Sequence, residues 1–519
     1  MKRSEMLRSV GNMAGVWDFI IIGGGATGLG TAVDAASRGF KTLLLERDDF
    51  AKGTSSRSTK LVHGGVRYLQ QGNVSLVLEA LRERGLLIQN APHLVRNQQF
   101  LVPHYDWWES PFYGVGLKVY DMLAGKLGLG PSKHLSLQKT LDHIPTLTPG
   151  GLRGGVIYYD GQFDDSRLAI NLARTSADKG GVLINYMKVT ELLKTKGIVQ
   201  GVMATDTLSQ KKYEINARCV INATGVFTDS VLKMDDPQSE PIIMPSQGIH
   251  IVIDKHFLPG ETAIMVPHTD DGRVLFAVPW HNKVILGTTD TAVDTVTSEP
   301  KAMESEIEFV LKHAAKYLTG NPSRKDVRSV FAGLRPLVKM GNNKKTATLS
   351  RDHTLIIAPS GLVTITGGKW TTYRKMAEDV VDQASLVAGL PPVDCVTENL
   401  RIHGWLKNLD KDDPLYYYGS DRLGLQKIVK KKPELGERLH ERLPYIKAEV
   451  IWATRHEMAM SIEDFCSRRT RALLLDARAS VEMAPEVARL MAEEAGYDEE
   501  WIKSQVTAYT ELAQCYQTS

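Results

Sequence analysis

Cysteine is scarce: Cys219, Cys395, Cys466 and Cys515 are the only four in the chain, far apart and with no CxxC pair among them. That spacing supports neither a zinc site nor a cysteine-held iron–sulfur cluster, so no metal is expected, and a reducing compartment suits the thiols. No stretch approaches the roughly 20 apolar residues that a spanning helix needs. Membrane contact is therefore expected to be peripheral. The N-terminus MKRSEMLRSVGNMAG carries basic residues with no apolar run behind them before Phe19, unlike a secretory signal, which points to the cytoplasm. Charge of one sign is missing too. Lys and Arg number 63 and Asp and Glu 60, a formal net charge of +3, which argues against a nucleic-acid partner. With 43% hydrophobic and 24% charged residues in a chain of 519, neither disorder nor a disulfide scaffold fits. The length calls for more than one domain and can bury a large cofactor.

What is present begins at Trp17. The apolar run DFIIIGGG, the small-residue run ATGLGTAVDAASRG and then FKTLLLE read as strand, glycine turn, helix, strand: one βαβ unit ending at Glu46. A polar, glycine-containing loop follows from Thr54 to Tyr68, and Leu76, Leu81 and Leu87 have helical spacing over 74–88. Aromatic and apolar residues then crowd together, from Trp107, Trp108, Phe112 and Tyr113 to Leu117, Tyr120, Met122 and Leu123, with Lys118 and Lys126 among or beside them. Short strands and a helix lead to RCVINATG (218–225), while IHIVID, RVLFAVPW and KVILGTTD alternate as an antiparallel sheet does. A further strand, turn and helix is expected in LVTITGGKWTTYRKMAEDVVDQA, Pro391 and Pro392 mark a boundary, and the remainder reads as helical.

Gly23, Gly25 and Gly28 form GxGxxG after a strand and at the start of a helix, with Glu46 at the end of the next strand. The first glycine permits the tight turn, the second lets backbone approach a pyrophosphate, and the third lets helix pack on strand. The phosphates then face a helix N-terminus, whose N–H groups and dipole favour anions, and Glu46 can accept ribose hydroxyls. This does not separate FAD from NAD, since both bring the same ADP half. A second glycine turn at Asn222–Gly225, far downstream, favours FAD.

The segment TSSRSTKLVHGGVRYL (54–69), joined to that opening motif, resembles the FAD-dependent glycerol-3-phosphate dehydrogenase family. Similarity continues through SQGIHIVI (246–253), VPW (278–280), GTTD (287–290), GLRPL (333–337), SRDHTL (350–355) and GGKWTTYRK (367–375), covering about residues 17–390. The resemblance implies an α/β fold. A glutathione-reductase-like FAD domain of Rossmann type would take 17–75, 150–235 and 354–390. An antiparallel-sheet substrate domain would take 76–149 and 236–353, and a C-terminal helical domain 395–519. It also implies hydride transfer from glycerol 3-phosphate to flavin, giving dihydroxyacetone phosphate, with electrons passed to a membrane quinone.

The residues suit that substrate. Arg67, Arg335, Arg351 and Lys369 stand in apolar or glycine-rich contexts, where a lone cation is costly and an anionic ligand resolves the cost. The resemblance assigns all four to the substrate pocket, Arg351 toward the phosphate, Arg67 and Arg335 toward flavin and hydroxyl, with Tyr68 and Lys369 beside them. Each arginine taken alone reads better as a structural ion pair, and it is the four together, within these motifs, that shift the balance toward substrate. Oxidising an alcohol needs a base, and His63 and His250 are the candidates; either can equally be a structural histidine, and water or flavin is the alternative acceptor. Thr54, Ser55, Ser58 and Thr59 offer hydroxyls and N–H groups to phosphate or isoalloxazine edges, or form an ordinary polar loop. Gly225, Gly368, Thr371 and Thr372 complete the expected cofactor set, the two threonines opening a helix toward the flavin.

The aromatic stretch reads either as a core helix or as a membrane-surface segment, and Lys427, Lys430, Lys431 and Lys432 either as lipid contacts or as a solvated face. A glycerol-3-phosphate oxidase using oxygen shares every motif named, although such oxidases tend to carry an insert that is not seen here. An RNA-associated FAD protein is the rival of another class. A homodimer is compatible with the sequence.

Overall fold

The computed structural model describes residues 1–12, 15–65, 73–106, 109–266, 269, 274–339, 353–410 and 413–518. Helix α1 (Arg3–Asn12), which the sequence reading passes over, is held to the body by Arg3, 2.7 Å from Asp206. Then come β1 (Trp17–Ile22), α2 (Ala26–Ser37) and β2 (Thr42–Leu45), the expected βαβ unit. Phe19, Ile20 and Ile21 are wholly buried. Such continuous apolar strands are what a parallel sheet covered on both faces requires. Each buried side chain of this size contributes roughly 1.5–3 kcal/mol against exposure.

Two sheets form among the described residues. In the first, β1 lies between β2 and the strand Lys212–Asn222, with Val182–Ile184 beyond β2 and Val363–Gly367 beyond Lys212–Asn222, all parallel. RCVINATG thus ends a central strand beside β1, with Val363–Gly367 and then the antiparallel His353–Ile357 beyond it. The larger sheet carries Ile243–Asp254 paired antiparallel with both Lys283–Gly287 and Val327–Val338, as the alternation suggests. It also holds one parallel pair, Val95–His104 with Ala263–Val266.

One stretch lies elsewhere than the sequence reading puts it. Gly154–Phe163, counted there with the nucleotide sheet, pairs along its whole length with Val95–His104 in the larger sheet. Its residues are buried on both faces, so its apolar pattern matches a strand of either sheet.

From residue 395 onward the chain is mainly helical, including Lys447–His456, Ala477–Ala495 and Glu499–Gln514. Helix Glu109–Ala124 takes up the aromatic stretch. Of its described side chains, Leu117, Tyr120 and Ala124 are buried, whereas Met122 is 72% exposed. It is therefore a two-faced helix. Trp107 and Trp108 lie outside the described residues, as do the side chains of Phe112, Tyr113, Val115 and Lys126. No helix among the described residues is long and apolar enough to cross a membrane.

Candidate active site

The C-terminal end of β1 turns into α2 at a point where no side chain caps the helix at Gly25. Gly23 has φ +111°, and a Cβ there would stand 2.6 Å from the Ala223 carbonyl oxygen; a Cβ at Gly28 would stand 1.9 Å from the Gly23 carbonyl oxygen. Neither position admits a side chain without moving backbone. Gly23, Gly25, Ala26 and Thr27 line a cavity of about 760 Å³ between the two sheets, within the range of roughly 300–1,000 Å³ usual for small-molecule and cofactor sites. Gly28 does not line it and serves the packing behind.

Glu46 is at the cavity wall, with one oxygen accepting the Gly24 N–H at 2.6 Å and the other the Asp48 N–H at 2.8 Å. Burial raises its carboxyl to about 6, opposed by those two N–H groups. The loop 54–59 closes the same end. Ser55 Oγ accepts the Ala26 N–H at 2.8 Å, so this hydroxyl stands at the start of α2. The Thr54 hydroxyl donates to the Leu334 carbonyl at 2.5 Å and the Ser58 hydroxyl to Asp165 at 2.7 Å. Those two protons are thus held by the protein itself. A helix start at the cavity wall, glycines at its turn, a buried carboxylate and a cavity of this size fit the ADP half of FAD.

The far end is walled by the larger sheet. Its strands supply His250 and Arg335, and His63, Thr59, Gly225, Gly368, Lys369 and Thr371 also line the cavity. His250 Nε2 lies 2.9 Å from Thr59 Oγ1, and its ring stacks on Phe331 at 4.9 Å between centroids. Its Nδ1 has no hydrogen-bond partner among the described residues. Burial, and then the charges of Lys60 and Arg335, push its pKa well below the ordinary histidine value, which favours the neutral imidazole. Arg335 donates to the carbonyls of Thr289 at 2.9 Å and Gln247 at 3.3 Å, and to Thr288 Oγ1 at 3.1 Å; Asp290 stands 3.4 Å away. The His63 N–H donates to Thr371 Oγ1 at 3.3 Å. Thr372 is buried behind Thr371 at the start of helix Tyr373–Val387 and does not line the cavity. Arg67, Tyr68 and Arg351 lie outside the described residues.

Sequence reasoning passed over Lys60 and Asp165. Lys60 is fully buried 2.7 Å from Asp165, with its ammonium 5.2 Å from the Phe331 ring centroid. A lysine set directly before the apolar pair Leu61–Val62 was the available signal. Part of the wall is apolar. Phe100, Tyr158, Met265, Val274 and Phe276 line the cavity, with Phe100 stacked on Tyr158 at 5.2 Å.

A dinucleotide cradle on a parallel sheet, facing a second sheet across one cavity, defines an FAD-dependent oxidoreductase, and residues 18–374 match the family described as FAD dependent oxidoreductase. Residues 363–502 match the C-terminal domain of alpha-glycerophosphate oxidase. The mitochondrial glycerol-3-phosphate dehydrogenase of Mus musculus is 42% identical over 521 residues, spanning 93% of this chain and 71% of that protein. The mitochondrial enzyme of Arabidopsis thaliana is 39% identical over 549 residues, 97% of this chain and 86% of that one. Glycerol-3-phosphate dehydrogenase from Bacillus halodurans, solved in complex with FAD, superposes with a TM-score of 0.81 at 29% identity, covering 99% of this chain and 97% of that one. The chain belongs to the FAD-dependent glycerol-3-phosphate dehydrogenases, and FAD is its cofactor.

Proposed function

We propose that this enzyme oxidises sn-glycerol 3-phosphate to dihydroxyacetone phosphate and passes the electrons to a quinone at a membrane surface. The observation that carries the substrate is that two cations, Arg335 from the larger sheet and Lys369 from the end of a strand of the nucleotide sheet, line the same cavity as the hydrogen-bonded pair His250 and Thr59. When bound, FAD supplies the hydride acceptor. The protein must then orient the secondary alcohol, balance the phosphate charge and receive the hydroxyl proton. Arg335 and Lys369 supply positive charge. Arg67, Tyr68 and Arg351 join them on the strength of their motifs, with Arg351 on the phosphate. A neutral, deeply buried His250 suits a hydrogen-bonding role, since gaining a proton there is opposed by burial and by Lys60. That leaves His63, at the cavity wall, as the preferred base.

The apolar wall of Phe100, Tyr158, Met265, Val274 and Phe276 has no use for a polar phosphate ester and supports an apolar electron acceptor. Helix Glu109–Ala124 packs Leu117 into the same apolar cluster and exposes Met122, which supports peripheral attachment to the inner face of a membrane near that wall. Oxygen as acceptor is the second reading, favoured by the match of 363–502 to an oxidase domain. The test is steady-state turnover of the holoenzyme with glycerol 3-phosphate, given a long-chain quinone in liposomes under nitrogen or oxygen alone. Fast anaerobic turnover with quinone is expected. Turnover with oxygen alone would make it an oxidase.

A further inference from the structure

The loop from Asp49 to Arg57 completes the dinucleotide end of the cavity. It follows closely on Glu46; its Ala51 N–H donates to the Gly24 carbonyl at 2.9 Å, and its Ser55 hydroxyl meets the first N–H of α2 at 2.8 Å. Ala51 has φ +62°, a left-handed conformation that a non-glycine residue keeps when its surroundings impose it.

On either side of Ala51 the loop meets the C-terminal helical region at three points. Asp49, wholly buried, accepts Arg468 Nε at 2.6 Å and Arg469 Nη2 at 2.9 Å. Lys52 donates to Glu463 at 2.8 Å, and Glu463 also accepts Arg468 at 2.9 Å. Arg57 donates to Tyr516 Oη at 3.2 Å and to Glu299 at 2.8 Å, while the Tyr516 hydroxyl donates to Glu299 at 2.5 Å. A π-helical turn, Phe465–Arg469, places the two consecutive arginines on the one carboxylate; such turns recur where geometry is demanded locally. Buried ion pairs of this kind are poor sources of net stability, since desolvation offsets attraction, but they are directional.

We propose that the C-terminal helical region clamps the cofactor loop: Glu463, Arg468, Arg469 and Tyr516 are positioning residues that hold Asp49, Lys52 and Arg57, and through them keep Ser55 and the start of α2 in register for FAD. The clamp concerns cofactor retention alone and depends on neither the substrate nor the acceptor proposed above. Its test uses purified holoenzyme carrying Glu463→Gln, Tyr516→Phe or both. FAD release after dilution is followed by the fluorescence of free flavin, beside the circular dichroism and thermal midpoint of the apoprotein. Each single variant weakens two charge-assisted hydrogen bonds, those from Lys52 and Arg468 in Glu463→Gln and those with Arg57 and Glu299 in Tyr516→Phe, and should release FAD at least about ten-fold faster, the double variant faster still, with apoprotein spectrum and midpoint unchanged. Wild-type release rates in both variants would overturn the clamp. So would faster release seen only together with a lowered apoprotein midpoint, which is general loosening. Where Glu463→Gln does not fold, Tyr516→Phe decides, because it keeps the ring and loses only the hydroxyl.

Discussion

At the dinucleotide end of the cavity stand the start of α2, the glycines before it and the Glu46 carboxylate, all within 24 residues of one another in the chain. At the other end are side chains from distant strands: Thr59 from the loop, His250 from Ile243–Asp254, Arg335 from Val327–Val338, and Lys369 beyond Val363–Gly367. The first end offers backbone at a glycine turn, with the Glu46 carboxylate and the Ser55 hydroxyl fixed beside it. The second presents charged and polar side chains, and His250 and Arg335 there each have partners of their own. Substitutions should therefore divide cleanly, one class changing flavin content and the other changing turnover.

The largest effect is expected at Gly28. A single methyl there meets the Gly23 carbonyl oxygen at 1.9 Å, and because that contact is backbone, the turn must open. Gly28→Ala should purify without flavin, as read from the visible spectrum; a yellow variant would show that the turn has room. Next comes Arg335→Ala. Removing a preorganised cation from the reaction end should lower kcat/KM for glycerol 3-phosphate about 10²- to 10³-fold while flavin content stays at the wild-type level. Loss of flavin instead would place Arg335 among the cofactor contacts and blur the division.

Glu46→Gln is the smaller and sharper test. A lost charge-assisted bond to ribose costs about 1.5–3 kcal/mol, so FAD should bind roughly ten-fold or more weakly. The pH dependence has a definite sign. Burial lifts the Glu46 carboxyl to about 6, and ribose donors favour its anion. Affinity of the native apoprotein for FAD should therefore be full above that value and weaken as pH falls through it, whereas the Gln variant should show no such transition. Fluorescence titration across that range checks both points. Parallel curves for the two proteins would remove Glu46 from the ribose.

The same division explains what the sequence reveals and what it conceals. Gly23, Gly25, Gly28 and Glu46 fall within one βαβ unit whose period and turn chemistry are local, so their grouping is legible before any fold is known. Gly154–Phe163 is legible as a strand but not as a member of the larger sheet, because burial on both faces erases the alternation that would tell the sheets apart. Lys60 and Asp165 form a buried pair across 105 residues of chain. Nothing local couples them, although the Lys60 charge is one of the two that lower the pKa of His250. Helix Glu109–Ala124 shows a similar limit: its composition admits core or membrane surface, and the structure gives it a buried face and an exposed Met122.

The central claim is that this cavity brings glycerol 3-phosphate to FAD for two-electron oxidation. Anaerobic mixing of the oxidised holoenzyme with glycerol 3-phosphate, followed by its visible absorbance with no acceptor present, tests that claim most directly. Bleaching of the yellow flavin with dihydroxyacetone phosphate formed in equal amount is the predicted result. Flavin that stays oxidised in the presence of saturating glycerol 3-phosphate would contradict it.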